Sequence, residues 1–220
     1  MMGVLFTMLA IERGDVSIAT PVFGIKVLYV AVLLTFTGAN RLPVTVWYAA
    51  ALATADIGLI QWTGPGQPKR VVFTIMFALL AATSYATFDV LTQEWAPTWG
   101  AGRFLAIVYA IVGVLSLAMI PWVDWSNFRD QKIRRFLLPG TALFAMQSIC
   151  IVLAIAVFGD AARVNVVYAL RGLWGVLLAW LVAQRWGGAE AELKRSLLLV
   201  RLVGAGMLTG AVILVILSQD

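Results

Sequence analysis

Four ionisable residues lie inside long apolar stretches of this chain: Lys26, Asp56, Asp89 and Arg171. A charge at the centre of a membrane helix costs at least about 2.5–3.5 kcal/mol on insertion scales, so such residues face a protein interior or a water-filled cavity and mark ion or substrate paths. Arg171 is the eighth residue of its stretch, hence roughly 11 Å deep in a helix that rises about 1.5 Å per residue. Tyr168 and Trp174 stand three residues to either side of it, on nearly the same helix face, and Asn165 lies one turn nearer the helix start. A cation with two aromatic rings and an amide suits a carboxylate or a planar metabolite. The other reading is a structural arginine satisfied by helix carbonyls or an acid. Lys26 offers a second cation, either to the same substrate or to Asp56, which sits at a similar depth in the next stretch and would complete a neutral buried pair. Asp56 and Asp89 are also candidates for proton coupling, because desolvation favours the protonated carboxyl. Asp89 lies nearer the end of its stretch, where solvation is the competing expectation.

What the chain lacks narrows the chemistry further. Histidine is absent, which removes the commonest metal ligand and the commonest acid–base catalyst. The single cysteine, Cys150, sits in an apolar stretch and allows no intrachain disulfide. There is no G-x-S-x-G and no glycine-rich phosphate loop, and neither Thr54-Ala55-Asp56 nor Thr87-Phe88-Asp89 has the Tyr-Asp and Gly-x-Gly-Asp settings of an intramembrane aspartyl protease pair. No catalytic residue, metal or cofactor is therefore expected, and an enzyme is not.

The elements that must position these residues are transmembrane helices. Of 220 residues, 62% are hydrophobic and 12% charged, whereas soluble domains carry about 25% charged residues. Seven segments are long enough to cross a hydrocarbon core about 30 Å thick: 17–38, 44–62, 71–93, 104–123, 136–158, 164–185 and 202–218. Breakers fill the connectors, as in Gly64-Pro65-Gly66-Gln67-Pro68 and Gly187-Gly188. Trp47, Trp62, Trp95, Trp99, Trp122, Trp125 and Trp186 fall at segment ends, the pattern of an interfacial aromatic belt. Residues 1–11 are apolar but half the length of a span, and no positive region precedes them as in a signal peptide. They read as the second half of a helix whose beginning is missing. The net charge of +5 comes from basic residues between apolar stretches, where membrane topology explains them and nucleic acid is not needed.

The chain also repeats itself. Gly14-Asp15 precedes Lys26 as Gly159-Asp160 precedes Arg171, at an offset of 145, and at that offset Val22 meets Val167, Leu28 meets Leu173 and Leu33 meets Leu178. Matched cations deep in matched helices point to an internal repeat. The repeats are 1–62, incomplete, and 69–217. About two and a half helices are absent from the first, so the expected complete form has ten spans.

GDAARVNVVYALRGLWGVLLAWLVAQRW (159–186), followed by LVGAGMLTGAVILVIL (202–217), resembles the EamA-like members of the drug/metabolite transporter superfamily. GDVSIATPVFGIKVLYVAVLL (14–34) with WYAAALATADIGLI (47–60) is similar to the equivalent part of the first repeat, and FALLAATSYATFDVL with Arg103 is similar to the start of a five-helix unit. The resemblance implies an all-α polytopic bundle of two inverted five-helix repeats, exchanging a small metabolite across the inner or plasma membrane by alternating access. The sequence departs from the family in lacking the first helices, and in placing Asn40-Arg41 and Gln184-Arg185 where an acidic residue often follows the fourth and ninth helices.

Eleven Lys and Arg residues fall on one side of the seven spans and three on the other, which puts the C-terminus outside by the positive-inside rule; the resemblance implies a cytoplasmic C-terminus. The partners expected are the lipid bilayer and a small anionic or zwitterionic metabolite. Gly206 and Gly210 form a G-x-x-x-G that permits close helix approach, within one bundle or in a homodimer. The alternative function is a non-transporting membrane protein, truncated or acting as a scaffold, that needs the missing helices or a partner chain to supply them.

Overall fold

Where they are described, the apolar stretches fold as α-helices, and among the described residues there is no strand: the fold is all-α. The computed structural model describes residues 1–12, 22–37, 42–60, 68–123, 130–170, 174, 203–204, 206–207, 210–211 and 213–214, with the backbone alone at 56–60, 68–71, 122, 132–133 and 136. Seven α-helices lie within them: α1 (Met2–Glu12), α2 (Lys26–Thr37), α3 (Val44–Ile60), α4 (Pro68–Trp99), α5 (Ala101–Leu117), α6 (Gln131–Phe158) and α7 (Ala161–Tyr168), with a 3-10 turn at Ile120–Trp122.

Two of them are long and apolar enough to cross a membrane. They are Val72–Trp99 within α4, at a mean hydropathy of 1.5, and Leu137–Phe158 within α6, at 2.3. The 22 residues of the latter span about 33 Å, which matches a hydrocarbon core of about 30 Å. Three hydroxyls inside α4 are satisfied locally: those of Thr83, Ser84 and Thr87 donate to the carbonyls of Leu79, Leu80 and Thr83 at 2.8–2.9 Å. The ends of the helices depart from the expected spans. α4 opens on Pro68, whose missing N–H costs nothing at a first helical position, and runs to Trp99, six residues beyond the expected boundary at 93. α5 stops at Leu117, before 123, because Pro121 cannot donate and the chain tightens into the 3-10 turn.

The chain divides into two compact units, residues 91–160 with Met1, and residues 2–90 with 161–220. In the first, α5 packs on α6, and Tyr109 Oη and Ser148 Oγ share a hydrogen bond of 3.2 Å. Gly159 closes α6 in the left-handed region at φ 64°, its N–H donating to Ile155 O at 2.9 Å. A Cβ there would meet nothing within 4 Å, so Gly159→Ala tests the backbone alone. It is expected to cost about 1–2 kcal/mol, read as a lower thermal midpoint in detergent, with Gly159→Asn costing less.

In the second unit, α2 packs on α3 and α7, and α3 on α7. Their shared core is built from small residues: Ala31, Ala49, Ala50, Ala53, Ala169 and Ala211, with Val27 and Val166. Such side chains let helix backbones approach closely. Large apolar side chains of the same unit, Met2, Phe36, Tyr48 and Val72 among them, are exposed. Trp47 is partly buried against the alanine core, and in the first unit Trp95 and Trp99, at the end of α4, are exposed.

Candidate functional site

The site lies within the second unit, where two interrupted helices meet α4. The segment expected as one helix over 17–38 is broken: Val22 and Phe23 are helical, Gly24 and Ile25 form a turn, and Lys26 opens α2. The turn keeps its backbone bonded, with Ile25 N–H donating to Val22 O at 3.1 Å and Val27 N–H to Gly24 O at 3.2 Å. Its position means that Lys26 sits at a helix opening, and the expected placement in mid-helix is corrected. The segment expected over 164–185 is likewise interrupted near its start, since α7 ends at Tyr168 and Ala169 is a turn residue. Gly24 and Ala169 stand 145 positions apart, the offset read from the sequence repeat.

Lys26 Nζ lies 2.7 Å from Asp89 Oδ2, with side chains only 17% and 4% exposed. The same carboxylate oxygen accepts a hydrogen bond from Asn165 Nδ2 at 2.7 Å, and that amide also donates to Ala161 O at 2.8 Å. Asn165 is buried, and its Oδ1 has no hydrogen-bond partner among the described residues. Two aromatic rings complete the surroundings of the ammonium, whose nitrogen lies 5.9 Å from the centroid of Tyr85 and 5.8 Å from that of Tyr168. Both distances fall within the range at which a ring quadrupole attracts a cation.

Several expectations change here. Lys26 pairs with Asp89; the side chain of Asp56, its expected partner, lies outside the described residues. Asp89 is buried, not solvated, because Lys26 and Asn165 from other helices close on its carboxylate, and α4 continues ten residues beyond it. Lys26, Asn165 and Tyr168 are brought together as a set, whereas Trp174 is 57% exposed and does not join them. Arg171 lies outside the described residues. Among the described residues no group of acidic, histidine or cysteine side chains could hold a metal ion.

Tyr85 is the functional-site residue that the sequence reading missed. The signal was present: it stands four residues before Asp89, one turn away on the same face of α4. Its ring is held by α1. A Cβ on Gly3 would lie 3.0 Å from Tyr85 Cε1, so glycine is what lets the ring lie flat against that helix, and Thr7 Oγ1 is 3.4 Å from the phenol oxygen.

Chemically, the arrangement is a neutral pair of full charges with aromatic walls and one spare amide acceptor. It can hold a polar ligand in an apolar bundle without importing net charge. No protein-family model matches the chain, and no curated protein matches it. One solved crystal structure is similar in fold, with a TM-score of 0.65 at 14% identity, over 99% of this chain and 74% of the other.

Proposed function

We propose that the chain is a multi-pass protein of the inner or plasma membrane that works as a secondary transporter of the EamA-like, drug/metabolite type. Its cargo is a small anionic or zwitterionic metabolite, moved by alternating access between repeats 1–62 and 69–217. The reading takes all seven apolar segments as spans, with α1 as a partial helix before them. The observation that carries it is the Lys26–Asp89–Asn165 cluster between helix interruptions at Gly24 and Ala169. Transporters bind substrates near the midplane where paired helices of two repeats are broken, because unwound backbone and helix ends supply polar groups there.

Two further features support the membrane setting. Small residues line the core while large apolar side chains face outward, the reverse of the arrangement that water selects. The hydroxyls of Thr83, Ser84 and Thr87 in α4 bond to their own helix. Lys26, Tyr168 and Asn165 are proposed to contact substrate, together with Arg171 as the second cation, and Asp56 and Asp89 remain the proposed proton-coupling acids.

Uptake into proteoliposomes, across a panel of amino acids, nucleosides and organic anions, tests the reading. Wild-type protein is expected to show saturable uptake of at least one compound, and Lys26→Ala, Tyr168→Leu and Arg171→Ala to reduce it about tenfold or more. Uptake unchanged in all three variants would remove the site assignment. A folded wild-type chain that moves nothing in the panel would favour the non-transporting alternative, in which the Lys26–Asp89 pair serves only to join helices.

A further inference from the structure

The groups around the Lys26 ammonium recognise the head and not the chain that carries it. A carboxylate oxygen at 2.7 Å and two tyrosine rings at 5.9 and 5.8 Å would attract any primary ammonium placed there. The hydrogen-bond inventory is also unbalanced. An ammonium carries three donors, yet among the described residues Lys26 meets one acceptor, Asp89 Oδ2. Close by, bonded to the same amide carbon as the Nδ2 that donates to that oxygen, Asn165 Oδ1 is a buried acceptor with no partner among the described residues. Surplus donors beside a spare acceptor fit a site that has a second occupied arrangement.

We infer that this cluster is an ammonium-binding site which Lys26 fills from within, and that the protonated primary amine of a ligand takes its place at Asp89. The inference rests on the reading of the cluster as the substrate site and names the part of the substrate it recognises. Charge selects the rest of the ligand. Lys26 and Asp89 sum to zero, so a bare amine would leave one uncompensated positive charge in a poorly hydrated site, and a bare anion one negative charge. A ligand with an ammonium at one end and a carboxylate at the other adds no net charge. Its ammonium meets Asp89, the Tyr85 and Tyr168 rings and Asn165 Oδ1, while the released Lys26 meets its carboxylate.

Calorimetric titration of the purified full chain in detergent tests this with two probes, 4-aminobutanoate and propylammonium. Wild-type protein is expected to bind 4-aminobutanoate saturably and propylammonium at least tenfold more weakly. Lys26→Ala removes the lysine side chain beyond its β-carbon, a propylammonium in size, and leaves the site one charge negative. That variant is expected to reverse the preference and to bind propylammonium at least tenfold more tightly than wild type does, with no binding of propanol. If Lys26→Ala is unstable alone, propylammonium during purification is expected to restore a monodisperse protein. Tyr168→Leu in the otherwise wild-type chain is expected to weaken 4-aminobutanoate about threefold to tenfold. Wild-type protein that binds no 4-aminobutanoate, equal responses of Lys26→Ala to propanol and propylammonium, or an unchanged affinity in Tyr168→Leu would each overturn the inference. Amine binding of the expected pattern in a chain that transports nothing would overturn the transporter reading alone.

Discussion

Asp89→Ala is expected to destabilise the protein by about 3–5 kcal/mol, the range for removing one partner of a buried ion pair. The loss has two sources in this structure. Lys26 loses its carboxylate partner in surroundings where only 17% of its side chain is exposed, and Asn165 Nδ2 loses its charged acceptor. Two tyrosine faces within 6 Å offset a fraction of this, since each such contact contributes about 0.5–2 kcal/mol. The decisive comparison is the double variant Lys26→Met/Asp89→Leu. Replacing both charges with apolar groups of similar volume removes the desolvation cost together with the attraction and leaves only the lost acceptor of Asn165 Nδ2, so it is expected to unfold about 1–3 kcal/mol below wild type, above Asp89→Ala. Thermal unfolding of the four members of this cycle in one detergent isolates the coupling. A loss below about 1 kcal/mol in Asp89→Ala would show that the pair is hydrated and behaves like a surface salt bridge.

Ala53→Leu is the second large effect. Ala53 is fully buried where α3 meets α2 and α7, among Ala31, Ala49, Val27 and Val166. Nothing there can absorb three further carbons except a change in helix spacing, so the expected cost is about 1–3 kcal/mol. The effect should not stop at stability. Val166 adjoins Asn165 in the chain, so α7 displaced from α3 carries the Asn165 amide away from Asp89, and ligand affinity at the site is expected to fall with the thermal midpoint. Ala51→Leu, on the exposed face of the same helix, is the matched control and should stay within about 0.5 kcal/mol of wild type.

Helix content was legible because apolar composition and helix formation coincide over most of the chain. The site was legible in its parts and not in its pairing. Lys26, Asn165 and Tyr168 stand out as polar or aromatic groups in apolar stretches, but which acid meets Lys26 depends on how helices distant in sequence are placed. Depth along neighbouring segments favoured Asp56, whereas α4 brings Asp89 to the ammonium. Asp89 looked terminal because Gln93 and Glu94 mark the end of apolar composition. Backbone hydrogen bonding does not require apolar side chains, so α4 runs on through them to Trp99. The break before Lys26 was hidden for a related reason: Gly24 lies among apolar residues, and hydropathy does not register a turn whose backbone bonds stay satisfied.

Two opposite charges 2.7 Å apart form a short dipole with no net charge. A transmembrane voltage does work of about 2.3 kcal/mol per elementary charge per 100 mV on a net charge crossing the membrane, and almost none on such a pair. As long as Lys26 and Asp89 move together, the pair itself is electrically silent, and any current in the proposed transport cycle reports the cargo, the ions that travel with it and the other charges of the site, such as Arg171.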